Sequence, residues 1–312
     1  MILALIVMTL LALVWLVSAV LPALIAPFVT RAVEAAHRQF ERSDTWLGRH
    51  VPKVWVGPIT DGPLIAALAV ALIAGVWAFF ALLEDVVMDD PIMGIDTPVY
   101  LFLQHVRQAS ADTIMVGMTE LGDSLVVIPV STAAVLILLA FMRWRAAAFV
   151  LVATAGASAF VGGLKEVIHR PRPVSIYDGL AHYSFPSGHA AMSAVLYGFL
   201  AFLLAYGAPP AWRRIIAFAA LSLIVLISFS RVYLGAHWLS DVLAGLAFAA
   251  AWVAGLAIVY LRSSPRPMPV VPFAAWLVVA LVAAGSWHMF HDLSAEAKRY
   301  AVPANVKAGT AP

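Results

Sequence analysis

The chain has 312 residues, 63% of them hydrophobic and only 12% charged, with a net charge of +2 and a mean hydropathy of +0.94. Soluble domains carry roughly 25% charged residues, so this composition excludes a soluble globular protein and describes a polytopic membrane protein. The chain contains no cysteine, which excludes disulfides and thiolate metal sites.

Crossing about 30 Å of hydrocarbon takes roughly 20 residues at helical rise. Apolar runs of about that length fall at residues 2–29, 63–83, 124–142, 146–164, 190–206, 215–230, 240–261 and 271–290, so eight helical spans are expected. The first begins Met-Ile-Leu-Ala with no basic residue ahead of it, and its apolar core is longer than that of a signal peptide. It reads as a retained span.

The connection after the first span is basic: Arg31, Arg38, Arg42, Arg49 and Lys53 are interspersed with Glu34, Glu41 and Asp44. Such a stretch can bind anionic lipid, but its simpler role is to set topology. Arg143 and Arg145, Arg213 and Arg214, and Arg262 and Arg266 recur in alternate connections farther along, which places these four connections in the cytoplasm. The opposite connection at residues 84–123 holds Glu84, Asp85, Asp89, Asp90, Asp96, Asp112, Glu120 and Asp123 against one Arg107. That side, and with it both ends of the chain, is expected to be extracytoplasmic.

Within the acidic connection, residues 97–108 suit a short helix with Thr97 as N-cap and Pro98 at its first position. Val99, Phe102, Leu103 and Val106 would share one face, and Gln104, Arg107 and Gln108 the other. This helix either lies in the membrane interface and guides a lipid, or is packed into the loop. In the fourth span, Ala153, Gly156, Ala157, Gly162 and Gly163 suit close helix approach.

Three polar segments interrupt the apolar chain on the outward side. Residues 165–173 read Lys-Glu-Val-Ile-His-Arg-Pro-Arg-Pro, residues 186–189 read Pro-Ser-Gly-His, and residues 230–241 read Ser-Arg-Val-Tyr-Leu-Gly-Ala-His-Trp-Leu-Ser-Asp. Ionisable groups beside hydrocarbon cost several kcal/mol unless they are paired or face water, so clusters of this kind mark functional sites. Lys165, Arg172 and Arg231 supply three cations, and the forked donors of Arg match phosphate oxygens. Ser187 adds a hydroxyl and an amide, and Gly188 permits close backbone approach. With no carboxylate cluster suited to Mg²⁺ among them, these residues point to phosphoryl chemistry without a metal or other cofactor.

Two histidines allow a division of labour between nucleophile and proton donor. Asp241 follows His237 by four residues, so on a helix the two side chains share a face. A carboxylate on one ring nitrogen fixes the tautomer and leaves the other as nucleophile. His237 is therefore the expected nucleophile, Asp241 its orienter and His189 the general acid; spacing alone also permits the reverse assignment of the histidines, but His189 has no carboxylate close by in sequence.

Lys165-x6-Arg172-Pro173, Pro186-Ser187-Gly188-His189 and Ser230-Arg231-x5-His237-x3-Asp241 resemble, in order and without departure, the three-part signature of the type 2 phosphatidic acid phosphatase (PAP2) superfamily. The resemblance implies an all-α membrane bundle with a six-helix core over about residues 63–261. It implies metal-independent dephosphorylation through a phosphohistidine, with the roles above for His237, Asp241 and His189. It also implies phosphate binding by Lys165, Arg172, Ser187, Gly188 and Arg231. Residues 1–62 and 262–312 then add one span on either side of that core.

The expected partners are membrane lipids and a lipid phosphate or diphosphate, with no nucleic acid. Undecaprenyl diphosphate, reached from the outer face of a bacterial cytoplasmic membrane, is the first choice. Phosphatidylglycerol phosphate, phosphatidic acid and phosphotransfer to an acceptor lipid, as in lipid A modification, are the enzymatic alternatives. A lipid or anion transporter is the rival from another class, and a soluble vanadate-dependent oxidase is opposed by the eight apolar spans. A purely structural ion-pair network is opposed by three cations against one aspartate, an excess that an anion would fill. His169, His182, His288 and His291 read as ordinary loop or interface residues, although His169 and Arg170 could touch a second phosphate. Tyr177, Tyr183 and Trp238 read as interfacial aromatics.

Overall fold

The computed structural model of the chain describes residues 2–20, 62–88, 93–174, 182–263 and 268–300, with isolated positions 27, 31, 35 and 265. Arg38, Arg42, Arg49, Lys53, Asp89, Asp90, Tyr177 and Arg266 lie outside the described residues. The described elements are all helical: α1 (Ile2–Trp15, continued as a π-helical stretch over Leu16–Val20), α2 (Gly62–Met88), α3 (Met93–His105), α4 (Ala109–Glu120), α5 (Ser124–Ala140), α6 (Trp144–Ile168), α7 (Gly188–Ala205), α8 (Pro210–Tyr233), α9 (Leu239–Arg262) and α10 (Val270–Arg299).

Among the described residues, six helices, α2 and α6 to α10, are each long and apolar enough to cross a membrane. A seventh crossing forms if α4 and α5, which meet at a 41° bend, act as one span. The run predicted at 2–29 is helical from Ile2 to Val20, and most of its remainder lies outside the described residues.

Lipid removes the hydrophobic drive between helices, so packing depends on small residues that let backbones approach. Helix α9 is the hub, in contact with α2, α7 and α6. A Cβ at Gly75 of α2 would lie 2.8 Å from the Ala247 carbonyl and the Ala251 amide, so α2 rests directly on the α9 backbone. Gly245 brings α9 equally close to the start of α7, where a Cβ would lie 2.9 Å from the Ser187 carbonyl. Gly156 accommodates the Trp252 ring, whose Nε1 donates to the Ala153 carbonyl at 3.1 Å. Gly162 and Gly163 differ from that expectation: nothing lies within 4 Å of a Cβ at either, so they leave open space rather than a helix contact.

One set of helix ends is basic, and the other mixes the motif cations with carboxylates. Arg143, Arg145, Arg213, Arg214 and Arg262 lie at one end, whereas Asp96, Asp112, Glu120 and Asp123 lie with the three motifs at the other. Helix α3 starts at Met93, with Pro98 inside it rather than at its first position. Both of its sides turn inward: Leu103 is buried with Val99 and Val106 packed beside it, Asp96, Tyr100 and Gln104 are buried as well, and of the expected apolar face only Phe102 is exposed. Gln104 donates to the Tyr233 carbonyl at 3.1 Å, so α3 is the packed loop helix of the two alternatives.

Candidate functional site

The three motifs converge because α7, which begins in one of them, packs against α6, α8 and α9, whose ends carry the others. His237 sits in the short link between α8 and α9 and is 1% exposed. The amides of Ala236 and His237 both donate to the Arg231 carbonyl, at 3.0 and 3.2 Å. That turn needs Gly235, which has a φ of +71°, a left-handed conformation that side chains disfavour. A Cβ there would also lie 3.0 Å from the Tyr100 ring and 3.2 Å from Gln104 Nε2. Gly235→Ala is therefore expected to cost about 1–3 kcal/mol of stability. A thermal unfolding midpoint in detergent equal to that of the unsubstituted protein would contradict this.

The His237 ring is held from both sides. Its Nδ1 lies 3.4 Å from Asp241 Oδ2, and its Nε2 lies 2.8 Å from Nη1 of Arg172. A guanidinium can only donate, so Nε2 accepts and carries the lone pair, which places the ring proton on Nδ1 towards Asp241. This is the tautomer expected of a nucleophile. Burial, reinforced by the positive charges of Arg172, Arg231 and Lys165, holds the imidazole well below the usual histidine range, so it is neutral.

Asp241 is fully buried near the start of α9, and several groups share its charge. The Trp238 amide donates to Oδ2 at 3.0 Å and Arg170 Nη1 to Oδ1 at 2.5 Å. Arg170 also donates through Nη2 to Asp96 Oδ2 at 2.8 Å and through Nη1 to Ser240 Oγ at 2.8 Å. Asp96 in turn accepts from the Ser240 amide at 2.9 Å and pairs with the Ser240 hydroxyl. Arg170 is thus a bridge between two carboxylates rather than a contact for a second phosphate. A charge as deeply buried as that of Asp241 requires such pairing.

Among the expected phosphate ligands, Lys165, Arg172 and Gly188 line a cavity of about 410 Å³ together with His189, His237 and Asp123. Lys165 Nζ donates to the Tyr183 carbonyl at 2.9 Å, and Arg172 Nη1 to the Ala236 carbonyl at 2.6 Å. Ser187 and Arg231 are fully buried behind the wall. Ser187 offers less than expected, because its amide already donates to the Asp241 carbonyl at 3.0 Å. Its buried hydroxyl has no hydrogen-bond partner among the described residues. A Cβ at Gly188 would meet only Val161, at 3.9 Å, so the space beside it belongs to the cavity.

Arg231 donates to Thr119 Oγ1 at 2.7 Å and to the Tyr300 hydroxyl at 2.8 Å. The last helix thereby reaches a motif residue, and Tyr300 also accepts Arg107 Nη2 on its carbonyl at 2.7 Å. His288, expected to be an ordinary residue, is buried and paired with Glu120. His189 does have a carboxylate partner: Asp123 Oδ2 lies 3.5 Å from its Nε2.

The cavity has a polar floor and an apolar side. Val127 and Ile128 of α5 and Ser158, Val161 and Gly162 of α6 continue it along the bundle, and Ile128 is exposed on the outer surface. Cations and histidines at one end of an apolar groove suit an amphiphile with an anionic head. A second cavity of about 330 Å³, lined by Arg143, Arg145 and Tyr260, lies at the opposite end, away from the motifs.

Known proteins resemble this chain over the same region. Residues 146–265 match the PAP2 superfamily. The chain is 30% identical over 176 residues to phosphatidylglycerophosphatase B of Bacillus subtilis, spanning 54% of this chain and 84% of that protein. It is 29% identical to an undecaprenyl-diphosphatase of Sulfolobus acidocaldarius, over 53% of this chain and 78% of the relative. A shorter match, 38% identical over 110 residues and 32% of this chain, is to 44% of a lipid A 1-phosphatase of Rhizobium etli. In fold, the chain is similar to the crystal structure of a transmembrane PAP2-type phosphatidylglycerolphosphate phosphatase from Bacillus subtilis. The TM-score is 0.54 at 24% identity, over 62% of this chain and 98% of that one.

Proposed function

Because the chain belongs to the PAP2 superfamily and is a multi-pass membrane lipid phosphatase of that family, we propose that it hydrolyses an outer-leaflet lipid diphosphate, undecaprenyl diphosphate in first place, through a phosphohistidine on His237. The observation that carries this reading is the two-sided hold on the His237 ring, which turns the Nε2 lone pair towards Arg172 at the cavity wall.

In this reading the phosphate sits against Lys165 and Arg172, with the charge of Arg231 and the Ser187 hydroxyl behind them, and these groups stabilise charge as phosphorus becomes five-coordinate. Nε2 of His237 attacks, and His189 protonates the departing oxygen, then takes a proton from the water that releases phosphate. Three cations near one cavity favour a diphosphate head over a single phosphate. The Arg-rich connections at the opposite end support a site on the extracytoplasmic side of the cytoplasmic membrane. Phosphatidylglycerol phosphate is the second reading, supported by the likeness to phosphatidylglycerophosphatase B.

The test is phosphate release by detergent-purified protein in excess EDTA from undecaprenyl diphosphate, phosphatidylglycerol phosphate and phosphatidic acid. The highest kcat/KM is expected on the first. A higher value on phosphatidylglycerol phosphate would move the assignment to the second reading, and no release from any of the three would contradict the function.

Full activity in EDTA is itself a prediction, because cationic side chains repel a divalent ion where the phosphate would sit. Loss in EDTA with rescue by Mg²⁺ would contradict it. Orthovanadate, which adopts the five-coordinate geometry, is expected to inhibit competitively, and insensitivity at millimolar concentration would count against the phosphate pocket.

A further inference from the structure

Asp123 belongs to none of the three motifs, yet it lines the same cavity as Lys165, Arg172, His189 and His237. It stands at the bend between α4 and α5. Gly122 seats that bend against α8: a Cβ there would lie 2.6 Å from Ile227 Cγ2. Asp123 Oδ1 caps α5, accepting from the Leu125 amide at 2.8 Å and the Ser124 hydroxyl at 3.1 Å. Its Oδ2 remains, directed at His189 Nε2 at 3.5 Å.

A carboxylate on the wall of a phosphate cavity repels the ligand, unless a cation takes up its charge. Among the described residues its ion-pair partner is His189. His189 Nδ1 has no hydrogen-bond partner among those residues, and His189 itself lines the cavity. Cap and histidine together therefore give both oxygens of Asp123 a task.

We propose that Asp123 is a positioning residue for the reaction, holding His189 through Nε2 and stabilising its imidazolium so that Nδ1 delivers a proton to the departing lipid oxygen. The proposal rests on the reading of His189 as general acid. As the bond from phosphorus to His237 Nε2 forms, the bond to the lipid oxygen breaks and its electron pair leaves with that oxygen, which takes the proton from His189. In the second half, neutral His189 takes a proton from water, the water oxygen bonds phosphorus, and the phosphorus–nitrogen bond breaks. Asp123 remains ionised throughout.

Asp123→Asn separates charge from fold, because Asn caps a helix as well as Asp does. The test compares two phosphate esters, dioctanoyl phosphatidic acid and 4-nitrophenyl phosphate, through kcat/KM, which covers the steps up to phosphoenzyme formation. The alkoxide of the first needs a proton to leave; the nitrophenolate of the second does not. For Asp123→Asn, kcat/KM is expected to fall about 10- to 100-fold on the lipid and less than about 3-fold on the aryl ester, with vanadate inhibition and the unfolding midpoint unchanged. Equal loss on both esters, or loss on neither, would overturn the proposal. His189→Ala in the same pair separates the two claims. If it shows the leaving-group difference and Asp123→Asn does not, only the role of Asp123 falls; if it shows none, the general-acid reading falls first and the proposal with it.

Discussion

Replacing His237 with alanine is expected to lower lipid phosphate hydrolysis by about 10⁴-fold or more, the scale of losing a covalent nucleophile. The expectation is large because the other ionisable groups described on the cavity wall have different tasks in this account. Lys165 and Arg172 are committed to carbonyls and to charge, and His189 faces Asp123. Because His237 is 1% exposed and lines the cavity, a thermal unfolding midpoint measured beside the assay separates loss of chemistry from loss of fold. Residual turnover within about tenfold of the unsubstituted rate would remove His237 as nucleophile.

The same residue predicts a pH dependence. Burial first, then Arg172, Arg231 and Lys165, lower its proton affinity below the ordinary value of 6.5. A lowered value keeps the imidazole neutral, and thus nucleophilic, as pH falls through 6.5. The acid limb of kcat/KM is therefore expected below that pH, where a solvent-exposed histidine would already be protonated. An acid limb at or above it would show that the ring is not held as described.

Asp241→Asn carries the second large effect, a loss of about 10³–10⁴-fold in kcat, as for other orienting carboxylates. An amide can present its NH₂ to Nδ1 of His237, which would move the ring proton to Nε2. There it would oppose the Arg172 donor 2.8 Å away and occupy the lone pair needed for attack. The substitution also deprives Arg170 of one of its two carboxylates, leaving Asp96 as the other. Thermal unfolding of Asp241→Asn separates the two consequences: a moderate drop in stability is expected beside a much larger drop in kcat. A variant that retains activity within about tenfold would mean that the tautomer of His237 is set elsewhere.

What the sequence made legible is what local chemistry encodes. Spans follow from unbroken apolar length, the orientation argument from Arg in short connections, and the motif residues from polar groups placed where hydrocarbon makes them costly. Asp241 could be matched to His237 by their spacing of four, but for a different reason than a shared helix face: His237 lies ahead of α9, and Asp241 reaches back to it from the first turn while accepting the Trp238 amide. His189 and Asp123 are paired across two helices and 66 positions, a relation without local periodicity. The one local sign was an aspartate immediately ahead of an apolar run, which marks an N-cap but not its second oxygen.

Arg170 was misread because its neighbours in sequence are motif residues, whereas its partners, Asp96 and Asp241, arrive from α3 and α9. For α3, the amphipathic pattern named an apolar side that does pack inward at Val99, Leu103 and Val106, but a buried partner, the Tyr233 carbonyl, drew Gln104 of the polar side inward as well. Tyr300 carried no signal, since a tyrosine after a long apolar run is equally at home at a lipid interface.

The central claim is that phosphate passes through a covalent bond to His237. Its most direct test is to mix the purified protein in EDTA with lipid diphosphate labelled on the terminal phosphate, stop the reaction with alkali during turnover, and locate the label by peptide mass spectrometry. The account predicts an alkali-stable, acid-labile phosphate on the peptide containing His237, absent from His237→Ala and lost on chase with unlabelled substrate. Turnover with no protein-bound phosphate, or label on a different residue, would contradict it.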